Sequence, residues 1–170
     1  VHAHTLSGLL HADHRLPSLD YVGAITAAHR LTRDVRVVEE MFRRMVFNVV
    51  MHNRDDHAKQ TSFLLGDDGV WRLAPAYDLT FAEGPGGEHS QSVAGAGEPD
   101  LRAVLSVAEQ VGLGSARGAE IASRRCTTSF SLIPGSFLRR WLWAARARSA
   151  SERIPVRLPA SSTTGSRRTW

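Results

Sequence analysis

Lysine is almost missing from this chain. Of its 21 cationic side chains only Lys59 is a lysine, and the rest are arginine. No G-x-G-x-x-G run precedes Lys59. Two familiar grips on a nucleoside triphosphate are therefore not encoded together here: a Gly-rich backbone cradle, and a lysine set ahead of the reacting groups. Cysteine is as scarce. Cys126 stands alone, which excludes an internal disulfide. No run of about 18 apolar residues occurs, so no helix that crosses a membrane is expected. No basic segment followed by an apolar stretch opens the chain, so no secretory signal is read. Together these absences lead us to expect a cytoplasmic protein. The first residue is Val, which we read as a sign of a fragment or a chosen boundary.

Acidic residues are missing too, but only from one part. Residues 1–114 hold nine Arg and one Lys against fifteen acids, a net −5, whereas residues 115–170 hold eleven Arg and two acids, a net +9; the two sum to the overall +4. Basicity belongs to the tail and says little about the rest. At 170 residues, 42% of them hydrophobic, the chain suits one domain with a core. We expect that domain over residues 1–114, and a poorly ordered or non-native Arg/Ser-rich tail over 115–170. Within the tail, residues 137–148 could form a helix and 160–170 read as disordered. Arg and Trp together could bind nucleic acid, but a non-native terminus explains the same composition, so direct nucleic-acid binding is not expected.

What is present is a polar stretch, His52-Asn53-Arg54-Asp55-Asp56-His57-Ala58-Lys59-Gln60, followed by a hairpin and then Pro75-Ala76-Tyr77-Asp78. The hairpin is read over residues 61–74. Thr61, Phe63 and Leu65 alternate with their neighbours, Gly66-Asp67-Asp68-Gly69 turns the chain, and Val70, Trp71 and Leu73 return. Asp67 and Asp68 are read as solvated turn formers. Phosphoryl transfer requires a carboxylate that orients the attacking hydroxyl, and an amide and a second carboxylate that hold Mg²⁺ against phosphates. Asp55 and Gln60 are five apart, the spacing of the Asp and Asn in the kinase loop H-R-D-x-x-x-x-N, and Asp78 stands where a kinase has the Asp of D-F-G.

These residues resemble the HipA family of serine/threonine kinases, the toxins of bacterial toxin–antitoxin pairs. Its motif runs from an apolar helix into N-x-D-x-H-x-K-N, a hairpin, and L-x-P-x-Y-D. Asn53, Asp55, His57 and Lys59 match the first part; Leu73, Pro75, Tyr77 and Asp78 match the second. The likeness is strongest over 41–78, extends over 2–113 and is not seen beyond. It implies an α+β, mostly helical fold: a kinase-like C-terminal lobe with a catalytic loop at 52–60 and a small β-hairpin. It implies ATP as phosphoryl donor, Mg²⁺, a protein Ser/Thr substrate and a DNA-binding antitoxin partner. It makes Asp55 the catalytic acid–base group, Asp78 and Gln60 the metal ligands, and Asn53 part of the cofactor-binding set. Gln60 stands where the family usually has Asn and sets its amide one methylene further out. Lys59 would neutralise the transferring group, His57 would order the loop, and Asp56 would be solvated or support the backbone. The chain is too short for a two-lobed kinase, so the ATP-gripping lobe is expected to be absent and the fragment inactive alone.

Two other classes stay open. Asp55, Asp56 and His57, with His52, could hold a metal for phosphodiester hydrolysis, although the usual phosphohydrolase order, His-Asp, is reversed here. A binding module without catalysis is the third, since parts of a kinase are missing.

The flanking elements are mostly helical. His2, His4, His11 and His14 read as a His-rich surface segment, and on the family reading Leu9 and Leu10 are buried there. Ser18 is expected to cap a helix with Tyr21, Val22, Ile25 and Ala28 on its apolar face. A second helix, capped by Thr32 or Asp34, carries Val37, Val38, Met41, Phe42, Met45, Val46, Val49 and Val50 on one side and a Glu40–Arg44 pair on the other. Its end delivers Asn53 and Asp55. The Gly-rich stretch 84–89 reads as a mobile segment beside the site. Asp100 is expected to cap a last helix that Gly112 or Gly114 ends.

Overall fold

The computed structural model describes residues 1–11 and 19–128. The expected features at Ser18, at 137–148 and at 160–170 lie outside them. Among the described residues five α-helices and a three-stranded antiparallel sheet make an α+β fold. In chain order these are β1 (His2–Thr5), α1 (Leu6–Leu9), α2 (Tyr21–Thr32), α3 (Val35–Met51), β2 (Ser62–Leu65), β3 (Trp71–Leu73), α4 (Leu101–Gln110) and α5 (Ser115–Thr128).

Helix α3 is the axis of the core. All eight apolar residues expected on its inner side are buried. Asp34 caps it, its carboxylate accepting from the Arg36 N–H, so of the two candidate caps the acid is used. Arg44 pairs with Glu40 as the i, i+4 spacing requires. Helix α2 packs alongside α3, burying Tyr21, Ala24, Ile25 and Ala28. Its cap is Asp20, which accepts from the Val22 N–H, so the helix starts after the acid instead of including it.

The hairpin forms with Phe63 opposite Leu73 and Leu65 opposite Trp71, and Phe63 is fully buried. A third strand extends it. β1 pairs with β2, His2 opposite Leu65 and Thr5 opposite Ser62. The His-rich opening is thus an edge strand, with the His2 ring edge-on to Trp71. Burial falls on Leu6, while Leu9 is partly buried and Leu10 exposed, which corrects the expectation for Leu9 and Leu10. Thr5 caps α1 and so turns the strand's end toward the core.

Asp100 caps α4 through the Ala103 N–H, and Gly112 follows its end in the left-handed conformation. Helical order then continues past Gly114. α5 packs on α3 and α4 and buries Ile121 and Ala122. The span 115–128, expected as the start of a loose tail, is a helix of the core. Arg117 fastens it by hydrogen-bonding the Glu39 carboxylate of α3 at 2.6 Å, and Arg43 of α3 shares that carboxylate.

Candidate functional site

Helix α3 stops because His52 takes a left-handed backbone, φ 53°, and its N–H folds back onto the last turn of carbonyls. The chain then passes between two other segments. On one side Ala82 N–H donates to the His52 carbonyl at 3.0 Å and Arg54 N–H to the Ala82 carbonyl at 3.2 Å. On the other, Ser90 N–H donates to the Arg54 carbonyl at 2.9 Å. Residues 52–54 are gripped from both sides by backbone, which fixes where the following acids stand.

Asp55 is exposed, with the His57 ring 3.8 Å from its carboxylate. That is a loose contact that orients the acid without covering it. Residues 58–60 make one 3₁₀ turn after His57. It leaves the Lys59 side chain exposed and brings Gln60 round toward Asp78. The Gln60 amide donates to the Asp78 carboxylate at 2.8 Å. The structure therefore brings an amide of the loop and the acid beyond the hairpin side by side. Tyr77 helps hold them: its hydroxyl lies 2.6 Å from Ser62 Oγ and donates to the Lys59 carbonyl. Asp78 itself has φ 56°, a conformation that costs an L-residue roughly 1–2 kcal/mol and that Asp tolerates better than most.

Asp56 is the residue whose two expected readings the structure separates. It is 1% exposed, so its expected alternative of solvation is wrong, while its support of backbone is observed. Its Oδ1 accepts from Ser90 N–H and Gln91 N–H at 3.0 and 3.3 Å. Its Oδ2 accepts from Tyr21 Oη at 2.6 Å and lies 3.0 Å from His89 Nδ1. A buried carboxylate requires such saturation. The same contact, after burial itself, pushes the Tyr21 phenol well above its ordinary range. Asp56 thus faces away from Asp55, and the two do not form one cluster with His57. Among the described residues no three His, Cys, Asp or Glu side chains gather as a metal cage. His89, expected in a mobile segment, is buried, and 89–91 are tied to residues 54 and 56.

Asn53 is buried as well. Its amide donates to Asn48 Oδ1 at 3.1 Å and to the Asp78 carbonyl at 3.3 Å, so it ties the end of α3 to the backbone of Asp78. Tyr21, Asn48, His89 and Gln91 were not anticipated as site residues. Asn48 carried a readable signal: it lies on the stripe of Met41 and Met45 at helical spacing, a polar amide where the pattern demands an apolar group. A small cavity reaches from this buried group to the surface residues, lined by Tyr21, Asn48, Asp56, Gln60, Tyr77 and Leu79 among others.

The HipA-like C-terminal domain family matches residues 1–131. The chain belongs to that family. The match runs past the limit of 113 expected from the motif and takes in α5. No curated protein sequence matches. Among solved structures the fold is similar to HipA of Shewanella oneidensis MR-1, solved as the complex of the toxin–antitoxin proteins HipA and HipB with operator DNA. The TM-score is 0.57 at 16% identity, over 78% of this chain and 35% of that one. This chain therefore spans about a third of that HipA.

The residues present suit a magnesium ion. Mg²⁺ is bound through one or two protein oxygens with the rest from water and phosphate. Asp78 offers carboxylate oxygens at the surface, and Gln60, whose NH₂ donates to that carboxylate, would offer its own oxygen to the metal by turning its amide over.

Proposed function

We propose that this domain is the C-terminal, catalytic lobe of a HipA-like protein kinase. In this reading it transfers the γ-phosphoryl group of ATP to a Ser or Thr hydroxyl of a protein substrate. The observation that carries the reading is the pairing of Gln60 with Asp78 at 2.8 Å, five residues after an exposed Asp55. In this family-shared fold that is the division of labour phosphoryl transfer uses.

Asp55 orients the attacking hydroxyl and accepts its proton. His57, 3.8 Å away, keeps that carboxylate aimed. Asp78 and Gln60 would hold Mg²⁺, which would supply charge neutralisation to the phosphates. Lys59, exposed beside them, adds positive charge toward the transferring group. Asn53 acts on the cofactor site through the Asp78 backbone that it holds. Positioning and electrostatics carry most of the barrier reduction in such a reaction. The α- and β-phosphates would be gripped from an N-terminal lobe. By analogy with the Shewanella HipA, which is bound to HipB and operator DNA, the complete protein would pair with a DNA-binding antitoxin.

The phosphodiesterase reading requires Asp55, Asp56 and His57 to converge, and the buried Asp56 turns away from the other two. The test is transfer of labelled phosphate from ATP to protein by the protein with its N-terminal lobe attached. Asp55→Asn is expected to lower transfer by about 10² to 10⁴, the range for a lost proton acceptor. Undiminished transfer by that variant rejects the role of Asp55. Absence of any transfer by the wild type favours a non-catalytic binding module, and cleavage of a phosphodiester without ATP favours the hydrolase.

A further inference from the structure

We infer that Asp56, acting through Tyr21 and Asn48, sets which way the Asn53 amide faces and so holds Asp78 in place. These would be positioning residues lying behind the candidate metal site. The consequence for metal binding rests on the phosphoryl-transfer reading; the hydrogen-bond relay does not.

Each step of the relay is forced by the donors and acceptors available. The Asp56 carboxylate has only acceptors to offer. Oδ1 is taken by two backbone N–H groups that cannot turn away, those of Ser90 and Gln91. Oδ2 takes the single proton of Tyr21 Oη at 2.6 Å. With that proton given to Asp56, Tyr21 Oη can only accept from Asn48, which must present its NH₂, at 2.9 Å. The Asn48 oxygen is thereby aimed at Asn53, which must answer with its own NH₂, at 3.1 Å. That same NH₂ reaches the Asp78 carbonyl at 3.3 Å. The relay thus presents Asn53 with a second acceptor, Asn48 Oδ1, beside the Asp78 carbonyl.

One independent observation supports this. Asn53 Oδ1 is buried and has no hydrogen-bond partner. Its amide direction is therefore not chosen for the comfort of its own oxygen. Turned over, that oxygen would face two others, Asn48 Oδ1 and the Asp78 carbonyl. The relay and the Asp78 carbonyl together hold this orientation, and the orphaned oxygen is its cost.

The relay predicts an unusual result for a nearly isosteric change. In Asp56→Asn the remaining oxygen stays with the N–H groups of Ser90 and Gln91, so the new NH₂ faces Tyr21 and His89. Tyr21 must then accept, its proton must go to Asn48, and Asn48 and Asn53 must both turn over. Asn53 would then set its oxygen against the Asp78 carbonyl. Tyr21→Phe deletes the middle link while keeping the carboxylate and its other partners, and so covers the case in which Asp56→Asn does not fold.

The test is nuclear magnetic resonance of this chain. The wild type is expected to show cross-peaks between the Asn53 side-chain NH₂ protons and the backbone protons of Asp78. Asp56→Asn should abolish them, and Tyr21→Phe should weaken them and speed solvent exchange of both side-chain amides, with backbone signals of α4 and α5 unchanged. Retention of those cross-peaks in both variants overturns the relay. A Mn²⁺ titration then reads the consequence: both variants should bind about tenfold more weakly, as outer partners of metal ligands do. Unaltered Mn²⁺ affinity in variants that lose the cross-peaks overturns the positioning role. Wild-type Mn²⁺ affinity no better than that of Asp78→Asn overturns the metal-site reading itself.

Discussion

Asp78 holds a left-handed backbone, φ 56°, while its carboxylate receives the Gln60 amide. Asn matches Asp in shape and tolerates that conformation, so Asp78→Asn separates charge from structure. We expect unchanged thermal stability within a few degrees and at least tenfold weaker Mg²⁺-ATP binding by calorimetry on the two-lobed protein. Equal affinity would remove Asp78 from the metal site. His52 makes a second prediction. Burial, then the nearby Arg54 and His89, lowers its pKa from the ordinary 6.5. The fold therefore prefers the neutral ring, and the unfolded chain takes up the proton first. Stability from this group is complete above pH 6.5 and is lost as pH falls toward the lowered folded value. The urea midpoint should drop between about pH 7 and 5, and the drop should shrink in His52→Asn, which keeps the left-handed helix end. An identical slope in that variant would clear His52 of the effect. At this scale the motif spacing singled out Asn53, Asp55, Gln60 and Asp78, and the fold brings Gln60 and Asn53 against Asp78. Sequence reading left Asp56 between solvation and backbone support, because nothing in a run of adjacent polar residues tells which one turns inward. That depends on Tyr21 and on residues 89–91, more than thirty positions away in sequence.

The helices were legible where apolar periodicity was strong. All eight inner positions of α3 follow from spacing alone. β1 was not legible, because His2-Ala3-His4-Thr5 carries no hydrophobic alternation and pairs by backbone at an edge. α5 was missed because the shift to arginine at residue 115 masks a short apolar face of Ile121 and Ala122. Its docking depends on a close approach. A Cβ placed on Gly118 would stand 2.6 Å from the Ala108 Cβ of α4, and neither atom can rotate aside. Ala is the better helix former by about 1 kcal/mol, but overpacking costs typically 1–3 kcal/mol. Gly118→Ala should therefore lower Tm despite the propensity gain; a rise would mean that α5 does not sit this close. The Glu39–Arg117 link adds a pH dependence to the same contact. Arg117, then Arg43, keeps the Glu39 carboxyl below its ordinary 4.5, so this link is intact above pH 4.5 and fails as pH falls through the lowered value. Amide exchange should show α5 opening before α3 in acid, and Glu39→Gln should show that early opening already at neutral pH. Simultaneous opening of both helices would deny α5 its separate anchor.

Across the molecule, α3 does two tasks. Its apolar side joins α2, α4 and α5 into one core, and its end carries the polar loop. The sheet does a third, since β2 and β3 return the chain so that Asp78 arrives beside Gln60. The HipA-like C-terminal domain family matches this whole unit, residues 1–131. Its purpose, in the reading proposed, is to hold two metal ligands from separate loops beside an exposed acid. The most direct measurement is the location of Mn²⁺ on this chain by paramagnetic broadening of backbone amides, with and without an ATP analogue. Gln60 and Asp78 are expected to broaden first, with Asp55 next, and Asp78→Asn to remove the effect. Broadening centred instead on Asp67 and Asp68 at the hairpin tip, unchanged in Asp78→Asn, would contradict the metal-site reading.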